Sequence, residues 1–170
     1  MTKTTATSLL LLALMVGGAR SASAQSKTFI FIPGIPGGSL DDRHQDWIDV
    51  LSMVQSWPGP AKRRPTCDVT ILKQLDSAGP RLWAAAATEQ VFTEVRIEVM
   101  KAGADPVKVY EIKLGNTKIG SISTSVASRF IFDFPTEEVL LSPQTATLTV
   151  FLQNPDGSPG GTVVSTIPCN

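Results

Sequence analysis

A chain of 170 residues carrying 15 basic and 15 acidic side chains is the size of one domain, and its balanced charge offers nothing to attract a polyanion. The only basic run, Lys62-Arg63-Arg64, is flanked by prolines and reads as a solvated loop rather than the concentrated patch that nucleic acid needs. No apolar run approaches the roughly 20 residues of a membrane span, so neither nucleic acid nor membrane is an expected partner.

The N-terminal segment reads as a secretory signal peptide. Lys3 supplies a positive start, Leu9 to Val16 a short apolar stretch, and Ala22-Ser23-Ala24 a small-residue cleavage site before Gln25. Residues 1–24 are therefore expected to be removed, leaving a chain secreted to the periplasm or beyond. Loss of Lys3 and Arg20 takes the basic count from 15 to 13 against 15 acidic residues, a net charge of −2 for the mature chain. Two cysteines remain, Cys67 and Cys169. In an exported protein such a pair is a candidate disulfide tying the C-terminal tail to the body. The alternative is two separate thiols, one in a strand and one on a frayed end.

In chain order, Phe29-Ile30-Phe31-Ile32 is the first extended segment, rich in aromatic and β-branched residues. Pro33-Gly34 and Pro36-Gly37-Gly38 break it, and an acidic loop, Asp41-Asp42-Arg43-His44, leads to a second apolar segment at Trp47, Ile48, Val50 and Leu51. Pro58 to Pro65 excludes regular structure. Cys67, Val69 and Ile71 then alternate with Asp68 and Thr70, a strand. Asp76 to Pro80 turns into the one expected helix, Arg81 to about Gln90. Asp76 or Ser77 is the candidate cap, and Leu82, Trp83 and the alanines 84–87 form the packing face. So short a helix needs a sheet to lie on.

Val95, Ile97 and Val99 alternate with Glu94, Arg96 and Glu98 in the next strand. Val107 to Leu114 follows, with a phase shift at Val109-Tyr110 that signals a bulge or a strand buried on both faces. A tight turn is expected at Gly115-Asn116 and a further strand from Thr117 to Ser128. Phe130, Phe132 and Phe134 alternate, Val139 and Leu141 continue after Pro135, and Leu148, Val150 and Leu152 make the last strand. The remainder, residues 155–170, reads as a Gly- and Pro-rich tail. Short strands at regular spacing with a single helix predict a mainly β sandwich or barrel, and the lack of strand-helix alternation excludes a parallel sheet.

Four stretches carry a family resemblance. The opening "FIFIPGIPGGSLDDRHQDWI" resembles the start of the haemolysin-coregulated protein (Hcp) family, the tube subunit of type VI secretion systems. "DSAGPRLWAAAATEQ" is similar to that family's turn and Ala-rich helix, "VFTEVRIEVMKAGADPVKVYEIKL" to its following hairpin, and "PTEEVLLS" to its Pro-Thr-Glu segment. The resemblance runs from about Phe29 to about Leu152. It implies a β-barrel of two sheets over residues 25–154 with one short α-helix packed beside it. It also implies a non-enzymatic subunit with no cofactor that closes into hexameric rings and meets secretion-system components or effectors. The sequence departs from the family at the leader, at the compact Trp57–Pro65 connection, where the family often has a longer extended loop, and at the tail with Cys169.

The residues offer little chemistry of their own. Gly38-Ser39-Leu40 is a weak echo of a secreted-esterase block; its serine needs an adjacent base, and His44 is the only histidine. The expected reading is a turn serine and a surface histidine. Asp41, Asp42, His44 and Asp46 lack the spacing of a calcium loop and read as a solvated, capping cluster. Glu137-Glu138 are adjacent on a strand and point to opposite faces. Trp47, Trp57 and Trp83 suggest an alternative in a different class, a secreted β-sandwich binding module with a stacking platform for glycan or with a protein partner.

Overall fold

The computed structural model describes residues 26–57, 67–103, 105–126 and 134–169. The expected leader, Lys62-Arg63-Arg64 and the Phe130-Phe132 stretch lie outside the described residues. The elements are β1 (Lys27–Phe31), β2 (Ile48–Val50), β3 (Ser52–Ser56), β4 (Asp68–Gln74), α1 (Gly79–Ala87), β5 (Phe92–Lys101), β6 (Val107–Ser125), β7 (Thr136–Ser142), β8 (Thr145–Gln153) and β9 (Pro159–Pro168).

All pairings are antiparallel, in the order β2-β1-β5-β6-β7-β4-β3, with β8 on β6 and β9 on β8. Strand β6 is the spine. Its first half pairs with β5 on one side and β8 on the other; its second half pairs with β7. It thus belongs to two sheets. The two ends of the path, β2 and β3, are separated in the chain only by Leu51, whose amide donates to the Leu72 carbonyl at 2.8 Å. The ribbon 48–56 therefore leaves β1 and joins β4, which turns the two sheets into a barrel and hides most strand edges. Ile30, Ile71, Ile97, Ile112, Leu114 and Leu141 fill the interior with no exposed surface. Each contributes roughly 1.5–3 kcal/mol by leaving water. Helix α1 lies against β6 through Leu82 and Ala85.

Four local expectations change. Gly115-Asn116 is not a turn: the chain runs straight through as β6, with a kink where Asn116 takes a positive φ of 46°. Gly115 is needed there because a Cβ would strike the Thr145 hydroxyl. The kink lets one strand pass from one sheet to the other. The helix starts earlier, at Gly79, and ends at Ala87. Among the described residues no side chain caps it; Asp76 instead accepts the Ala78 amide at 3.0 Å. Trp83 is 46% exposed, because one residue's advance turns it about 100° away from Leu82. Finally, the stretch expected as a tail contains β9, paired with β8 from Thr145↔Pro168 to Gln153↔Pro159. Its period of two, Val163, Ser165 and Ile167 against Thr162, Val164 and Thr166, was masked by Gly160-Gly161. The phase shift in β6 is a bulge at Val109, skipped between the pairs Val99↔Tyr110 and Met100↔Lys108.

Candidate self-association surface

The loop between β1 and β2 was the best candidate for chemistry, and the structure builds it as a clamp. Gly37 donates to Asp46 O at 2.7 Å and Ser39 to Trp47 O at 3.0 Å, folding the loop into a narrow return. Asp46 takes a positive φ to make it. The loop then lies on the outer face of β1. His44 stacks on Phe29 with ring centroids 4.0 Å apart, Trp47 meets His44 edge-on, and the Arg96 guanidinium sits over Phe31 and Trp47.

His44 is therefore not a surface residue: it is 2% exposed. Its Nδ1 lies 2.8 Å from Asp41 Oδ1 and its Nε2 3.2 Å from Glu98 Oε2. With both ring nitrogens engaged by carboxylates, it has no nitrogen left to serve Ser39 as a base. Ser39 is buried as well, and its hydroxyl accepts the Asp41 amide at 3.3 Å. The hydrogen bond from His44 holds the Asp41 carboxyl below its ordinary value. Lys108 extends the cluster, bonding Glu98 at 3.2 Å and Glu111 at 2.6 Å. Partial burial disfavours its charge, but these two carboxylates outweigh that and raise its pKa. Among the described residues no group of three or more His, Cys, Asp or Glu is arranged to hold a metal ion.

The other sequence candidates are also placed in structural roles. Glu137 and Glu138 are adjacent on β7 and on opposite faces: Glu137 is fully buried and Glu138 exposed. Glu137 pairs with Lys73, a buried ion pair that the hydrophobic pattern of β4 did not reveal. The three tryptophans occupy three surroundings. Trp47 is in the outer aromatic cluster, Trp57 packs against the core and Trp83 projects from α1, so no shared platform forms. Cys67 and Cys169 are brought together, with Cα atoms 5.1 Å and Sγ atoms 1.98 Å apart.

What remains unsatisfied is strand edge. Among the described residues β9 pairs with β8 alone, and every residue of it but Ile167 is exposed. Among the same described residues β3 pairs with β4 alone. Neither strand carries a charged side chain. On the core-facing side of the β8–β9 hairpin, Val150, Leu152 and Val163 continue the barrel's apolar row past its end and are 43–58% exposed. Natural sheets usually blunt free edges with charge; these two are bare.

A β-barrel with one helix at its flank and, among the described residues, singly paired edge strands defines the class: a mainly β, barrel-type domain. The family model described as "Type VI secretion system effector, Hcp" matches residues 29–150, and the chain belongs to that family. It is a secreted structural tube protein of the type VI secretion system and not an enzyme. Solved structures agree on the fold. Hcp1 from Salmonella typhimurium superposes with a TM-score of 0.74 at 24% identity, over 84% of this chain and 94% of that one. A type VI secretion system effector from Yersinia pestis gives 0.71 at 23% identity, over 83% and 98%. The secreted protein Hcp3 from Pseudomonas aeruginosa gives 0.62 at 18% identity, over 87% and 99%. Comparison with curated proteins finds no match.

Proposed function

We propose that the mature chain, from Gln25, closes into hexameric rings by joining strand edges of neighbouring copies. The observation that carries this reading is the pair of uncharged strands β3 and β9, each bonded on one side only among the described residues. A ring needs two different complementary surfaces on each subunit, and two bare edges supply them. The apolar residues Val150, Leu152 and Val163 beside the β9 edge add area that gains by leaving water. Sedimentation velocity and native mass measurement on residues 25–170 test it. A hexamer is expected; a strict monomer at high concentration rejects ring closure.

Export through the leader is part of the same reading. Cleavage after Ala24 predicts an exported protein whose N-terminal residue is Gln25, and intact mass of the secreted form decides this. In the oxidising compartment so reached, Cys67 and Cys169 join as a disulfide. Their 5.1 Å Cα separation, inside the range a bridge needs, supports it. Intact mass with and without alkylation after reduction tests the bridge. Stacking of rings into a tube that carries effectors would follow from membership of the family, and electron microscopy of the mature form tests it. The alternative binding module loses its motivation, since no two tryptophans share a platform.

A further inference from the structure

The two cysteines join the firmest and the loosest parts of the barrel. Cys67 opens β4, which is hydrogen-bonded on both sides, by β3 and β7, and which buries Val69 and Ile71 completely. Cys169 closes β9, which has one ladder, to β8, and a single half-buried side chain, Ile167. Beyond that ladder the end of β9 is held by one backbone bond, from the Cys169 amide to Gln144 O at 2.7 Å. At its other end β9 begins with Pro159-Gly160-Gly161, where Gly161 has a φ of 113°, and glycines regain the most backbone freedom when a strand opens. A strand so placed belongs to the low end of local stability.

We infer that the Cys67–Cys169 bridge is a latch on the C-terminal strand, set by the redox state in which the chain folds. Bridged, β9 is held at both ends, by the Asn154–Ser158 turn and by Cys169. With free thiols its one covalent tether is the turn, and the ladder to β8 opens from Cys169 inward while β1 to β8 stay folded. Closing the latch removes two electrons and two protons from the two thiols, taken up by a disulfide-bearing oxidant that is itself reduced to a dithiol. Opening it is the reverse exchange with a dithiol. The chain is therefore unlatched where thiols stay reduced and latched where disulfides persist. The inference rests on the bridge proposed above and is independent of ring closure.

The competing account is that the bridge acts only by restricting the unfolded chain, which would weaken every part of the fold alike. Hydrogen exchange on the full mature chain separates the two. The Cys67→Ala/Cys169→Ala variant should lose about ten-fold more protection at the β9 amides bonded to β8 than at the amides of β5 and β6. The wild-type chain held in excess dithiol should show the same difference. An equal-fold loss in β9, β5 and β6, no loss in β9, or failure of both the variant and the reduced wild type to fold would overturn the latch. Intact mass of the alkylated wild type runs alongside; free thiols in the oxidised protein would remove the bridge itself, a separate failure.

Discussion

Lys73 and Glu137 face each other across the β4–β7 ladder, with Nζ 2.8 Å from Oε2 and neither side chain reaching solvent. The ammonium also donates to Gln74 O at 2.7 Å and forms a second ion pair, with Asp76 Oδ1 2.6 Å away. The other Glu137 oxygen, Oε1, has no hydrogen-bond partner and lies beside Gly79, at the start of α1. A negative charge there is favoured by the helix dipole. One carboxylate thus fastens β4, β7 and α1 together.

Removing Glu137 leaves the Lys73 ammonium its second carboxylate, Asp76, whereas removing Lys73 leaves the Glu137 carboxylate buried with no counter-ion among the described residues. Lys73→Met is therefore expected to cost about 3–5 kcal/mol. Replacing both residues, Lys73→Met with Glu137→Leu, should recover most of that loss, because no charge is then stranded. Urea unfolding of the two variants measures it. A single substitution that changes stability by less than about 1 kcal/mol would show that water reaches the pair.

Gly37 is fixed by close approach. A Cβ at this position would strike the Trp47 carbonyl oxygen and the Ile48 side chain, and the backbone is pinned by the Gly37 bond to Asp46. Gly37→Ala is therefore expected to cost about 1–3 kcal/mol, in the range of overpacked sites. It should also displace the clamp from the outer face of β1. Near-ultraviolet circular dichroism reports the loss of the Phe29–His44–Trp47 stack; an unchanged spectrum with unchanged stability would contradict the geometry.

The clamp also gives a sign to the acid response. Asp41 has its pKa lowered from 3.8, first by the hydrogen bond from His44. A group with a depressed folded-state pKa adds stability that is complete above the unfolded value and disappears as the pH falls through the folded one. The clamp's share from Asp41 is therefore intact above 3.8 and is lost below it. In Asp41→Asn this part of the acid sensitivity should be missing. Unfolding midpoints of both proteins from neutral pH down to strongly acid pH check it, with parallel curves as the contrary result.

Val163→Lys tests the β9 edge without touching the core. Val163 is 58% exposed, and a surface change of this kind is expected to alter stability by about 0.5 kcal/mol or less. A charge on a bare edge should nonetheless abolish self-association. Sedimentation of the variant at the concentration where the parent assembles decides it; an unchanged oligomer would move the contact elsewhere.

Alternation along the chain was enough to place β4, β5 and β8, because their inward rows stay in phase: Cys67-Val69-Ile71, Val95-Ile97-Val99, Leu148-Val150-Leu152. The four ordered motifs identified the family. Other features were invisible for definite reasons. Gly115-Asn116 has turn chemistry, yet here the close approach of Thr145 uses the glycine and the chain runs on. Residues 159–168 have the glycines and prolines of a tail, yet the open edge of β8 recruits them as a strand. His44 looks solvated because its carboxylate partner Glu98 is 54 residues away in sequence.

The sequence by itself determined the class of the protein: a mainly β member of the Hcp family with one short helix. Only the tertiary structure decided which polar residues are buried, that the ribbon 48–56 closes the barrel, and which edges stay open. The reason is range. Strand periodicity is written in neighbours two apart, whereas Lys73–Glu137 and His44–Glu98 are pairings that exist only once the barrel has brought distant strands together.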